Sequence, residues 1–286
     1  MFCSRMVSKV RKELENIGCF FYCEINFLKV KDDVMFFEVN DKEDTYLIRY
    51  YEGGGVNYLI QKYTLLKNLG IKTEEIVTFS DNVVVCCNMQ EKFGYKLLKK
   101  EDLYNEDQIR KLAKWCKKFN AMENDCYLEV ESVFILKNIK MIIEKFNLHH
   151  NKVMNYVVEN FNNIKMKYDK LNKSIILGDF FIDSVLFCEE ACDFCVCGIS
   201  DVFIVSRYEF MCVFLEIINE KYKSVFIDEF KEVTQEEQII GEFIGCITGL
   251  YLCGKYNIMS HKAKKYLDLI CDKKMLEMAR AIVEWY

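Results

Sequence analysis

The chain has 286 residues, 51% of them apolar and 29% charged, with a net charge of −5 at pH 7. That composition describes an ordinary globular protein, long enough for one large domain or two lobes. The negative balance disfavours nucleic-acid binding, and no apolar run reaches the roughly 18 residues that a spanning helix needs, so neither nucleic acid nor a membrane is expected as a partner. Proline is absent and lysine outnumbers arginine 33 to 6, biases that follow from AT-rich coding and remove the lysine count as a sign of nucleic-acid binding. The 15 cysteines are odd in number and mostly sit in apolar surroundings, such as Cys86 and Cys87 in VVVCCNM. Free thiols there behave as small hydrophobes. With no secretory pattern in MFCSRMVSKVRKELENIG, which reads as an amphipathic helix, the expectation is a reduced, cytoplasmic protein.

After that first helix (2–17), CFFYCEINFLKV, VMFFEV and TYLIRYY are three short runs of β-branched and aromatic residues, separated by KDD and NDKED. They predict a meander of strands. Gly53-Gly54-Gly55 breaks the third strand, and 56–69 takes helical spacing and ends at Gly70. Two further strands follow in EEIVTF and NVVVCCNM. Beyond residue 90 the character changes to periodic helices over 105–121, 130–146 and 150–170. A strand at 174–177 and a hairpin of 184–188 with 193–198 interrupt them. Helices resume over 207–223, 235–254 and 260–284, the second opening on the capping-box signature Thr234-Gln235-Glu236-Glu237. Cys188, Cys192, Cys195 and Cys197 fall within ten residues. Zinc usually takes two cysteine pairs or a histidine pair at suitable spacing. Structural thiols on one strand face are the reading preferred over a metal site. His149, His150 and His261 suggest surface or capping roles.

The densest pattern lies at 174–187, SIILGDFFIDSVLF. An apolar run delivers Gly178-Asp179, four residues follow, and Ser184 opens a second apolar run. Fourteen residues after Phe187, Asp201 appears in GISDVFIV. This spacing resembles the catalytic centre of the aminoglycoside phosphotransferase and choline kinase family, a branch of the protein-kinase-like fold. The family pattern reads HGDxxxxN, a strand hairpin, and then a metal-binding Asp after an Ile or Val. Leu177 stands in the histidine position and Ser184 in that of the asparagine. LAKWCKKFNAM resembles the family's LAxxLxxLH helix, with Asn120 at the histidine.

The resemblance implies an α+β, two-lobed protein-kinase-like fold. Residues 1–90 would form a small nucleotide-binding lobe, an antiparallel sheet with one helix. Residues 91–286 would form a larger, mostly helical lobe carrying the catalytic loop and the acceptor site. Asp179 would orient the acceptor hydroxyl and accept its proton, the alternative being a carboxylate that caps a turn. Asp201 would bind Mg²⁺ with help from Ser184, since Mg²⁺ takes hard oxygen ligands. Arg49 holds the third-strand position that presents a cation to the nucleotide phosphates. Its usual partner is a Glu on the next helix, a position that aligns with Lys62. Lys62 would then meet phosphate itself, or Gln61 would turn inward. Cys87, Asn88 and Met89 would form the hinge whose backbone receives the base of ATP or GTP. Glu209 matches an acid that opens a helix and braces the active-site loop, or is a plain helix N-terminal acid. The acids from Asp228 to Glu242 would attract a cationic substrate or form a solvated helix start.

The function so implied is transfer of a γ-phosphate to a small hydroxylated molecule. Phosphoryl transfer needs positioning, metal ions and cations around the triphosphate more than covalent help from the protein. Leu177, Ser184, Lys62 and Asn120 depart from the family, and losses compound in a cooperating site. The competing reading is therefore a pseudokinase that serves as a scaffold for a protein partner.

Overall fold

The computed structural model describes residues 2–31, 34–42, 44–120, 130, 132–178, 184–198, 201–230, 233–257 and 261–285. In chain order the elements begin with α1 (Phe2–Asn16), β1 (Glu24–Lys31), β2 (Val34–Asp41), β3 (Asp44–Tyr51), α2 (Val56–Asn68), β4 (Ile76–Phe79), β5 (Val83–Cys87), α3 (Met89–Phe93) and β6 (Lys96–Leu97). Then come α4 (Glu106–Lys117), α5 (Leu136–Lys145), α6 (Lys152–Glu159), α7 (Phe161–Asp169), β7 (Lys173–Leu177), β8 (Val185–Cys188), β9 (Asp193–Val196) and β10 (Val202–Ser206). The chain closes with α8 (Arg207–Leu215), α9 (Lys223–Glu229), α10 (Gln235–Lys255), α11 (His261–Ile270) and α12 (Lys273–Glu284). Two compact units emerge, Met1–Leu98 with Ser184–Ile199, and Lys99–Asp183 with Ser200–Tyr286. No helix of the described residues is long and apolar enough to cross a membrane.

The first unit is built on an antiparallel sheet of order β1-β2-β3-β5-β4. Alternation along β2 buries Met35, Phe37 and Val39 on one face. Helix α1 presents Met6, Val10 and Leu14, spaced by four and therefore on one helical stripe, to the same core as Ile48, Tyr50, Val83 and Val85. Because neighbours on a strand point to opposite faces, Arg49 between Ile48 and Tyr50 is turned away from that core. Strand β5 is buried along its whole length. A smaller sheet of order β6-β8-β9 completes the unit, so the hairpin of 185–196 packs with the N-terminal segment.

The second unit is helical around the antiparallel pair β7 and β10. The sequence reading assigns no element to 202–206. There Val202 pairs with Leu177, and the pairing runs to Ser206 opposite Lys173. Helix α10 is buried along most of its length, which is why it lacks a polar stripe. Aromatic contacts link α4 to α8 and α9 through Trp115, Phe119, Phe210, Phe214 and Phe226. Three of the expected long helices are broken. Asn160 ends α6 and precedes α7, the helix from 207 stops at Leu215 before a turn capped by Asn219, and Asp272 caps α12. Short polar side chains that bond local backbone end helices even where the apolar spacing runs on.

Candidate active site

In the first unit Arg49 enters a closed polar network. It is 5% exposed and its counter-charge, Glu74, is 2% exposed. Arg49 Nη1 donates to the Tyr63 hydroxyl at 3.0 Å, and Nη2 forms an ion pair with Glu74 Oε2. Tyr63 in turn donates to Glu74 Oε1, which also accepts the Gly198 N–H at 2.8 Å. Burial alone would raise the Glu74 carboxyl. The charge of Arg49, with these donors, outweighs it and holds the group below its ordinary value. Burial first, with Glu74 beside it, pushes the Tyr63 phenol well up, so it stays a neutral donor. Glu74 was not legible as a site residue, because the acid lies between α2 and β4 rather than on the helix.

Lys62 faces inward on α2, 6% exposed, its ammonium 3.9 Å from the ring centroid of Tyr58. At the end of β5 the Cys87 and Asn88 N–H groups donate to the carbonyls of Glu75 and Thr45, at 2.9 and 3.1 Å. The Asn88 side chain caps α3, and Met89 is buried against Tyr95 and Cys195. Ser184 is buried at the start of β8, its carbonyl accepting the Cys197 N–H at 2.9 Å. Cys195 is buried, and among the described residues no three His, Cys, Asp or Glu side chains converge as a metal site.

In the second unit Asp201 immediately precedes β10, and its carbonyl accepts the Gly178 N–H at 2.7 Å. A Cβ built on Gly178 would fall 2.2 Å from the Tyr256 hydroxyl oxygen and 2.9 Å from Asp201 Cβ, so any larger residue here forces Tyr256 and Asp201 to shift. The Tyr256 hydroxyl donates to Asp201 Oδ2 at 2.7 Å, and Lys255 Nζ lies 3.0 Å from the same oxygen. A carboxylate that already attracts an ammonium has donor chemistry suited to a hard cation. Asp179 and Asp183 lie outside the described residues. Leu177, in the family's histidine position, is fully buried in β7.

Beside β7, Glu209 opens α8 in a capping box with Ser206. Its carboxylate accepts from the Tyr168 hydroxyl, the Ser206 N–H and the Thr248 hydroxyl at 2.7, 2.7 and 2.6 Å. Burial nevertheless raises it above an ordinary glutamate. Glu209 also lines a cavity of about 340 Å³ formed by α8, α10 and α11. Ile176, Val213 and Leu252 supply apolar wall, and Glu216 and Glu242 add acidic groups. Lys262 and Lys265 line it as well, and Lys265 meets Glu216 at 2.6 Å. Gly249 has no side chain because a Cβ there would lie 2.4 Å from the Tyr266 ring, another wall of the cavity.

No family model matches this sequence, and no curated protein matches it. Solved structures do. Choline kinase LicA from Streptococcus pneumoniae aligns with a TM-score of 0.65 at 11% identity, over 97% of this chain and 99% of that one. The GDP and kanamycin complex of APH(2")-IIia gives 0.62 at 14%, over 97% and 98%. Macrolide 2'-phosphotransferase MphH from Brachybacterium faecium gives 0.61 at 9%, over 97% of both chains. The α+β architecture, the sheet-based first unit, the helical second unit and these alignments agree: the chain has the protein-kinase-like fold of choline kinase and the aminoglycoside and macrolide phosphotransferases.

Proposed function

We propose that this chain transfers the γ-phosphate of ATP or GTP to a hydroxyl of a small molecule, an aminoglycoside- or choline-like acceptor. The observation that carries the reading is Asp201, set just before β10, its carbonyl accepting the N–H of Gly178, the residue before Asp179 in the sequence, and its carboxylate held by the Tyr256 hydroxyl. Asp179 orients the acceptor hydroxyl and takes its proton. Arg49, kept charged by Glu74, serves the phosphates together with Lys62, and the backbone of Cys87, Asn88 and Met89 receives the base through groups other than the Cys87 and Asn88 N–H, which donate to the Glu75 and Thr45 carbonyls. Asp201 and Ser184 are the residues that would hold Mg²⁺, which when bound neutralises phosphate charge. The largely apolar cavity at Glu209, Glu216 and Glu242, which Lys262 and Lys265 also line, has room for an acceptor of modest size. Choline, ethanolamine, kanamycin and a macrolide are therefore the first acceptors to try.

The test is radiolabelled γ-phosphate transfer to that panel, with Asp179→Ala beside the parent. Turnover should fall at least a thousandfold in the variant while nucleotide affinity stays within about threefold. Undiminished turnover in Asp179→Ala would remove the mechanism. A second reading, a pseudokinase that binds a protein partner, is favoured by one observation, the occupation of Asp201 Oδ2 by Lys255 and Tyr256. Failure of every acceptor and of nucleotide binding together would select it.

A further inference from the structure

Lys255 stands in the last turn of α10, where the helix carbonyls favour a cation. Its ammonium lies 4.5 Å from the centroid of the buried Phe203 ring and 3.0 Å from Asp201 Oδ2. Phe203 is one residue beyond the strand start that places Asp201, so a single local structure fixes both the carboxylate and the surface against which the ammonium rests. The Tyr256 hydroxyl, next along the chain, bonds the same carboxylate oxygen. Lys255 and Asp201 are 33% and 27% exposed, so water reaches the pair. An ion pair of that exposure is weak enough for a divalent ion to displace.

We propose that Lys255 is an internal counter-ion of Asp201, holding the oxygen that a divalent cation would take, so that metal and ammonium compete for Oδ2. The proposal rests on the reading of Asp201 as the metal ligand. The ammonium supplies positive charge at this position when metal is scarce and yields it when metal is plentiful. Divalent-ion affinity is then set by Lys255 as well as by the ligands. Lys255 acts here as a positioning and competing group, with no part in bond making.

The experiment is Mn²⁺ binding to the full chain, followed by the electron paramagnetic resonance of free Mn²⁺, so that no turnover is needed. Lys255→Met should bind Mn²⁺ about tenfold more tightly than the parent, equivalent to about 1.4 kcal/mol. Lys255→Arg, which keeps the charge, should stay within about threefold of the parent, and adding Asp201→Asn to Lys255→Met should abolish the gain. A Lys255→Met chain that binds Mn²⁺ no more tightly than the parent, or not at all, overturns the proposal. Misfolding of the variant would weaken binding and so cannot imitate the expected result. If Asp201→Asn alone binds Mn²⁺ as well as the parent, the metal-ligand reading fails. If Asp201→Asn loses binding while Lys255→Met is unchanged, only the competition fails.

Discussion

Glu74 is the residue whose removal should say most about the first unit. Glu74→Gln keeps the size of the side chain and an oxygen for the Tyr63 hydroxyl and the Gly198 N–H, but leaves the Arg49 guanidinium buried without a negative partner. Breaking a buried pair by neutralising one member costs about 3–5 kcal/mol. Against a whole-domain stability of about 5–15 kcal/mol that is a large share. Replacing both charges together, Arg49→Met with Glu74→Met, removes the orphaned cation and should cost about 2 kcal/mol or less. Trp115 lies in the second unit, so its fluorescence is the wrong reporter. Native-state hydrogen exchange of the β3 and β5 amides in increasing urea reports the right element. Acid gives an independent check. A carboxyl lowered in the folded state contributes stability that is present above its ordinary value of about 4.3 and lost as pH falls through the lower folded value. The gap between parent and Glu74→Gln should therefore narrow below about pH 4. A Glu74→Gln cost under about 1 kcal/mol, or a double variant as costly as the single, would refute the idea that a buried charge pair organises this lobe.

Gly178→Ala must displace Tyr256 and crowd Asp201, so it should destabilise the chain by about 1–3 kcal/mol. Tyr256→Ala in the same chain should recover part of that loss, measured by urea titration of tryptophan fluorescence. Glu209→Ala removes the carboxylate half of the α8 capping box, with the Ser206 hydroxyl still in place, and leaves the Tyr168 hydroxyl without its acceptor, a cost of about 2–4 kcal/mol in the same titration. A loss below 1 kcal/mol there would mean that the Glu209 carboxylate does not organise this helix start.

Much of the architecture was written in local pattern. The stripe of Met6, Val10 and Leu14, the alternation of Met35, Phe37 and Val39, and the Thr234 cap each specify an element without reference to distant residues. The spacing from Gly178 to Asp201 pointed to the segment where the Gly178 N–H meets the Asp201 carbonyl. What escaped was non-local. Glu74 reaches Arg49 across 25 positions, and Lys255 reaches Asp201 across 54, and neither separation leaves a periodic mark. Strand β10 was hidden because Val202–Ser206 becomes a strand by pairing with β7, which the run VFIV alone does not reveal. The breaks at Asn160 and Asp272 escaped because the apolar spacing continues through them while the short polar side chains decide the ends.

The most direct test of the account is nucleotide binding by titration calorimetry, with ATP and GTP, with and without Mg²⁺, on the parent and on Asp201→Ala. The account predicts saturable binding of at least one nucleotide, strengthened by Mg²⁺ in the parent and unaffected by Mg²⁺ in the variant. No heat of binding at millimolar nucleotide with Mg²⁺ present would contradict it and leave the kinase-like fold without its chemistry.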